Sequence, residues 1–313
     1  MENRFKIKFL EEQLKSILQK LLILILALLV LSFFLSFYSF FFVKLSENYT
    51  PNSIAETFRV FLFAQEYLIP LKLKFETAFI IFSFLNLFFL TLTFFKDSKL
   101  KLGYNKEYSL PLIITENFVF TTFILALIRW ILKDFLMPIP PIQDALLALT
   151  LSTIAPIREE IGYRLTLIGF PLAILMIRSL SLKSFFKFLW KPNPKLFYFR
   201  GIKIRFLVYI LLIFSSLLFG LGHLQSYKEP LLSAKVIEAM ISGFILGYFY
   251  IKEGFHACVT LHILFNYFSL FFYLGGEFRF DILAYYLLLF AGIVSFYRKL
   301  NLLFKERTKI KIF

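Results

Sequence analysis

The stretch Ala155-Pro156-Ile157-Arg158-Glu159-Glu160-Ile161-Gly162-Tyr163-Arg164 sets four charged side chains inside a run that otherwise reads as a membrane-spanning helix. A charge at bilayer depth costs at least about 2.5–3.5 kcal/mol, so four of them require partners or a wet cavity. A helix end at the interface would let such charges snorkel to water. Here, however, apolar sequence continues through residues 165–177, and only Arg178 returns to polar character. Glu160 and Arg164 are i and i+4 and share a helix face, whereas Glu159 points about 100° away. One carboxylate can therefore be neutralised within its own helix while the other stays free for chemistry.

The remainder of the chain places this stretch in a membrane. Of 313 residues 59% are hydrophobic and 45 are Phe, more apolar surface than a soluble core can use, which predicts an all-α, polytopic transmembrane helix bundle. The net charge of +15 falls in short clusters between apolar runs, the pattern that orients a membrane protein and not that of a nucleic-acid binder. Eight spans are expected, at about residues 21–43, 74–95, 110–136, 143–177, 206–224, 234–251, 255–274 and 281–297. Residues 1–20 read as an interfacial helix and 54–68 as an amphipathic segment along the surface. Pro138, Pro140 and Pro141 break the chain before the fourth span. This divides the chain into an N-terminal part (1–142), a core of spans four to seven (143–275) and a last span with a basic tail (276–313). With both termini in the cytoplasm, 24 of the 35 Lys and Arg lie on the inner side and 9 on the outer, as expected for an inner-membrane, multi-pass protein.

The chain has three histidines. His223 closes the fifth span behind Gly220 and Gly222, which leave room for close helix approach. His262 lies in the seventh span with Asn266 at i+4, on one face. His256, six residues before His262, points elsewhere and reads as structural. The single cysteine, Cys258, reads as a small apolar packing residue. Counted at about 1.5 Å per residue from these span boundaries, His223 falls toward the outer face and His262 toward the inner one, about 15 Å apart in depth. Two chemistries fit. Glu159, His223 and His262 can hold a divalent metal, best zinc, whose bound water becomes hydroxide near neutral pH. Alternatively Glu159 acts as general base on a water held with His223, while His262 and Asn266 stabilise the oxyanion.

Ala-Pro-x-x-Glu-Glu-x-x-Tyr-Arg at 155–164, Phe219-x-x-x-His223 and His262-x-x-x-Asn266, each in its own apolar helix and in this order, resemble the motifs of the CPBP family of intramembrane proteases, also called the CAAX-protease or Abi family. Ser215-Ser216-Leu217-Leu218 before the second motif and residues 241–248 before the third agree with the resemblance, which covers about 145–275. It implies a catalytic Glu159, a Glu160–Arg164 pair, a His223 that assists the water or metal, and a site completed by His262 and Asn266. It also implies an endopeptidase acting on a membrane-tethered, in some members prenylated, peptide, with lipid as the surrounding partner. Two positions depart from the family pattern: Leu165 stands where glycine is frequent, and Arg158 where a small or apolar residue is usual. Two other readings of the polar cluster are a non-enzymatic immunity or scaffold protein and a proton-coupled transporter.

Overall fold

The computed structural model describes residues 2–46, 56–73, 75–98, 109–131, 145–176, 181–192, 198–199, 202–203, 205–226, 232–274 and 280–310. Helices α1 (Glu2–Ser46), α2 (Phe75–Ser98) and α3 (Leu110–Ile131) precede the motif segment. That segment runs as α4 (Ala145–Glu160), a π-helical stretch (Ile161–Gly169) and α5 (Phe170–Met176). The short α6 (Leu182–Trp190) is followed by α7 (Arg205–Gly222), a 3₁₀ turn (His223–Ser226), α8 (Leu232–Glu253), α9 (Phe255–Leu274) and α10 (Phe280–Ile310). Each expected span thus has a helical counterpart. The segments Glu12–Phe34, Thr77–Phe95 and Leu110–Ile131 are by length and composition able to cross a membrane, and Phe206–Gly222 and Phe255–Phe268 are shorter apolar helices.

Helix α9 is the axle. Every residue from Phe255 to Leu264 is buried, so this helix is apolar all round because it is enclosed all round, by α1, α2, α3, α4 and α8. The turn that delivers it is one residue long. Gly254 takes φ +102°, a conformation open to glycine, and its N–H returns to the Tyr250 carbonyl at 2.9 Å. Polar side chains tie the helices to one another: Thr93 meets Thr260 at 2.9 Å and Thr153 meets the Tyr267 hydroxyl at 2.7 Å. Two bidentate ion pairs add to these, Arg129 with Glu238 between α3 and α8, and Arg298 with Glu116 between α3 and α10. Charges within apolar bundles pair in this way because hydrocarbon offers them nothing else.

Two expectations change. The interfacial helix at 1–20 and the span at 21–43 are one continuous helix, α1, because no Gly or Pro interrupts residues 2–46. Its roughly 68 Å exceeds a bilayer, so its charged N-terminal turns extend past the apolar part. Residues 56–68, within the expected amphipathic segment, are not helical. Strands β1 (Glu56–Leu62) and β2 (Gln65–Leu73) form an antiparallel hairpin beside the helical bundle; Tyr198–Phe199 and Ile202–Lys203 pair as two further short strands. The run Thr57–Leu62 is rich in aromatic and β-branched residues, which favour strand, and Pro70 is tolerated because both strands of a two-stranded sheet are edges.

Candidate active site

The motif helix is broken where it carries its chemistry. Pro156 has no N–H to give the Ser152 carbonyl one turn earlier. The Asn266 amide supplies that partner, Nδ2 donating to Ser152 O at 3.3 Å, and Asn86 donates likewise to Thr153 O at 2.8 Å. Asn266, expected at the oxyanion, therefore contacts the proline break in α4. Five residues after Pro156, α4 widens into the π-helical stretch beginning at Ile161, a deformation that recurs at functional sites.

Glu160 is the hub. It is fully buried, as is Arg164. Arg164 Nε lies 3.1 Å from Glu160 Oε2, the pair expected at i,i+4. The guanidinium also rests 4.6 Å over the Phe219 ring and donates to Ser215 Oγ at 3.3 Å. Ser215 in turn donates to the Tyr163 carbonyl at 2.7 Å, so α7 is stitched to the π-helical stretch at the point where the ladder is irregular. The other Glu160 oxygen, Oε1, accepts from His262 Nδ1 at 2.7 Å. A carboxylate at Nδ1 fixes the ring's orientation and turns Nε2 outward. That Nε2 lies 3.7 Å from Glu159 Oε2. Glu159 itself keeps 16% of its side chain exposed, against none for Glu160. The two adjacent carboxylates are thus distinguished by packing: one is enclosed in donors, the other remains partly exposed.

His223 arrives from α7. Its Nδ1 bonds the Phe219 carbonyl at 2.8 Å, leaving Nε2 as an acceptor, and its ring packs edge-on to Phe219 at 5.0 Å. The His262 ring approaches the same phenylalanine at 6.0 Å. Phe219 therefore packs against both imidazoles, and Gly222 makes room beside it, since a Cβ there would lie 2.3 Å from the Tyr163 hydroxyl. His256 is buried elsewhere, stacked flat on Trp190 at 6.1 Å.

Cys258 was expected to pack as an apolar residue, but its thiol donates to Glu160 Oε2 at 2.7 Å. The signal was available, because Cys258, His262 and Asn266 follow one another at i, i+4 and i+8 on the face already singled out. Cys258→Ala, which takes this donor from the buried Glu160, is expected to cost about 1–3 kcal/mol of stability, while Cys258→Ser retains the donor and stays near the parent; thermal unfolding of the two variants in detergent checks this.

Zinc bound by Glu159, His223 and His262 needs all three side chains directed at one point about 2.0–2.2 Å from each. Among the described residues no three His, Cys, Asp or Glu side chains are so arranged, and as placed they do not fit the ion. No curated protein and no solved structure gives a significant match to the chain. Residues 141–268, which carry every one of these side chains from Glu159 to Asn266, match the family model described as Type II CAAX prenyl endopeptidase Rce1-like.

Proposed function

We propose that the protein is an intramembrane endopeptidase in which Glu159 activates the attacking water. The observation that supports this best is the chain Glu160–His262–Glu159, in which one buried carboxylate orients an imidazole against a second carboxylate that remains open. A cluster serving only to hold helices together would enclose both carboxylates as it does Glu160, and would not leave Glu159 partly exposed.

In this reading a water donates one proton to a Glu159 oxygen and its other to His223 Nε2, which holds it for attack. As the oxygen adds to the peptide carbonyl, Glu159 takes the first proton. His262, held at Nδ1, offers the developing oxyanion an Nε2–H when the ring is protonated. Glu159 then returns its proton to the leaving amine, so the site ends each cycle as it began. Lipid surrounds the bundle, and a membrane-tethered peptide is the substrate that reaches such a site.

The substrate class proposed is a peptide anchored near its C-terminus through a prenylated cysteine, the chemistry for which the matched family is named. The protein reconstituted in liposomes is expected to cut an S-farnesylated peptide ending Cys-aliphatic-aliphatic-X after the modified cysteine, releasing a tripeptide seen by mass spectrometry. The unmodified peptide is expected to react at least about tenfold more slowly. An intact farnesylated peptide after prolonged incubation with stoichiometric protein sinks the assignment.

A further inference from the structure

The β1–β2 hairpin lies outside residues 141–268, yet its tip sits on the motif segment. The turn residues Phe63 and Ala64 take φ of +50° and +60°, a conformation non-glycine residues seldom adopt. Two bonds hold it: Phe63 N donates to Thr166 Oγ1 at 3.0 Å and Ala64 N to the Gly162 carbonyl at 3.4 Å. The Phe63 ring also meets Phe170 edge-on at 5.8 Å. Strand β1 packs against α4 and the π-helical stretch. The anchoring point at Gly162 is three residues from Glu159, about 4.5 Å of helix rise.

The register fixes which backbone groups this leaves available. Leu62 pairs with Gln65 across a two-residue turn, so these flanking residues exchange hydrogen bonds and the alternate pairs do not. Phe61, opposite Glu66, and Arg59, opposite Leu68, therefore direct their N–H and C=O groups to the outer edge of β1. Among the described residues no third strand covers that edge.

We infer that the outer edge of β1 at Arg59–Phe61 binds the substrate peptide as an added third strand and feeds the scissile bond to Glu159. This rests on the peptidase reading. A peptide bond can be attacked only where its carbonyl is outside a helix, and an extended segment in a water-poor site needs backbone partners, which a strand edge supplies.

The test is a series of reporter peptides, each carrying one N-methyl group at a different backbone amide, cleaved by the full-length protein. N-methylation at the amides facing β1 is expected to raise KM about tenfold or more, and methylation at the intervening amides to change it less than threefold, giving a period of two. In Phe61→Pro, which removes one outward N–H, KM for the parent peptide is expected to rise about tenfold with kcat retained, and methylation at the facing amide to add nothing. Cleavage of the parent peptide with no period-two pattern, or with a pattern unchanged in Phe61→Pro, overturns the strand proposal and leaves the peptidase reading standing. Failure of the native protein to cleave the parent peptide overturns both. The methylated series does not depend on any variant folding.

Discussion

Replacing Glu159 with Gln is expected to lower kcat on the farnesylated reporter by about 10²- to 10⁴-fold, the contribution of a positioned general base, while KM stays within about threefold. The amide matches the carboxylate in shape and keeps an oxygen facing His262 Nε2, so the local packing survives. It cannot accept the proton of the attacking water. Among the described residues no arginine is paired with Glu159, so its neutralisation strands no guanidinium, and the thermal unfolding midpoint in detergent is expected to move by less than about 2 °C. Rate and midpoint must be read together. A slow variant that also melts early reports damage to the bundle, whereas a slow variant with an unchanged midpoint assigns the chemistry to this side chain. A variant that cuts at the parent rate removes Glu159 from the reaction.

Much of this site was legible in the sequence, for reasons that can be named. Four charges within apolar sequence are costly enough to mark a site without coordinates, and the i,i+4 spacing of Glu160 and Arg164 specifies a pair that the structure contains at 3.1 Å. Helical periodicity also put His262 and Asn266 on one face. What periodicity cannot reach is contact between elements distant in the chain. Counting residues along straight rods separates His223 from His262 by about 15 Å in depth, yet both rings lie within 6.0 Å of the Phe219 ring. Phe219 belongs to a motif in the sequence, and in the structure both histidine rings pack on it. Asn266 shows a different limit. Its placement on the right face was legible, but its contact with the Ser152 carbonyl, freed by a proline 110 positions earlier, was not. The hairpin went unrecognised because Ile54–Leu68 carries enough apolar residues to satisfy a helical pattern, and only the aromatic and β-branched content of 57–62 argued for strand.

Substituting Arg164 by Met is expected to destabilise the protein by about 3–5 kcal/mol, because removing one member of a buried ion pair leaves the other charge uncompensated. Glu160 is entirely inaccessible to solvent and would keep only the His262 and Cys258 donors. The double variant Glu160→Gln/Arg164→Met removes both charges and keeps an amide oxygen for His262 Nδ1, so it is expected to regain at least half of that loss. The two changes would then be strongly non-additive, as expected of residues in direct contact. Catalysis should not recover with stability. A neutral amide holds the imidazole less firmly than a carboxylate does, and Nε2 loses the charge that keeps it directed at Glu159. The double variant is therefore expected to unfold within a few degrees of the parent while kcat remains down at least about tenfold. Unfolding midpoints and reporter rates for the parent, both single variants and the double variant separate the two functions of the pair. If the double variant is both stable and fully active, the buried charges serve neither the bundle nor the reaction. If stability and activity instead recover in step, the pair acts on catalysis only by keeping α4, the π-helical stretch and α9 in place.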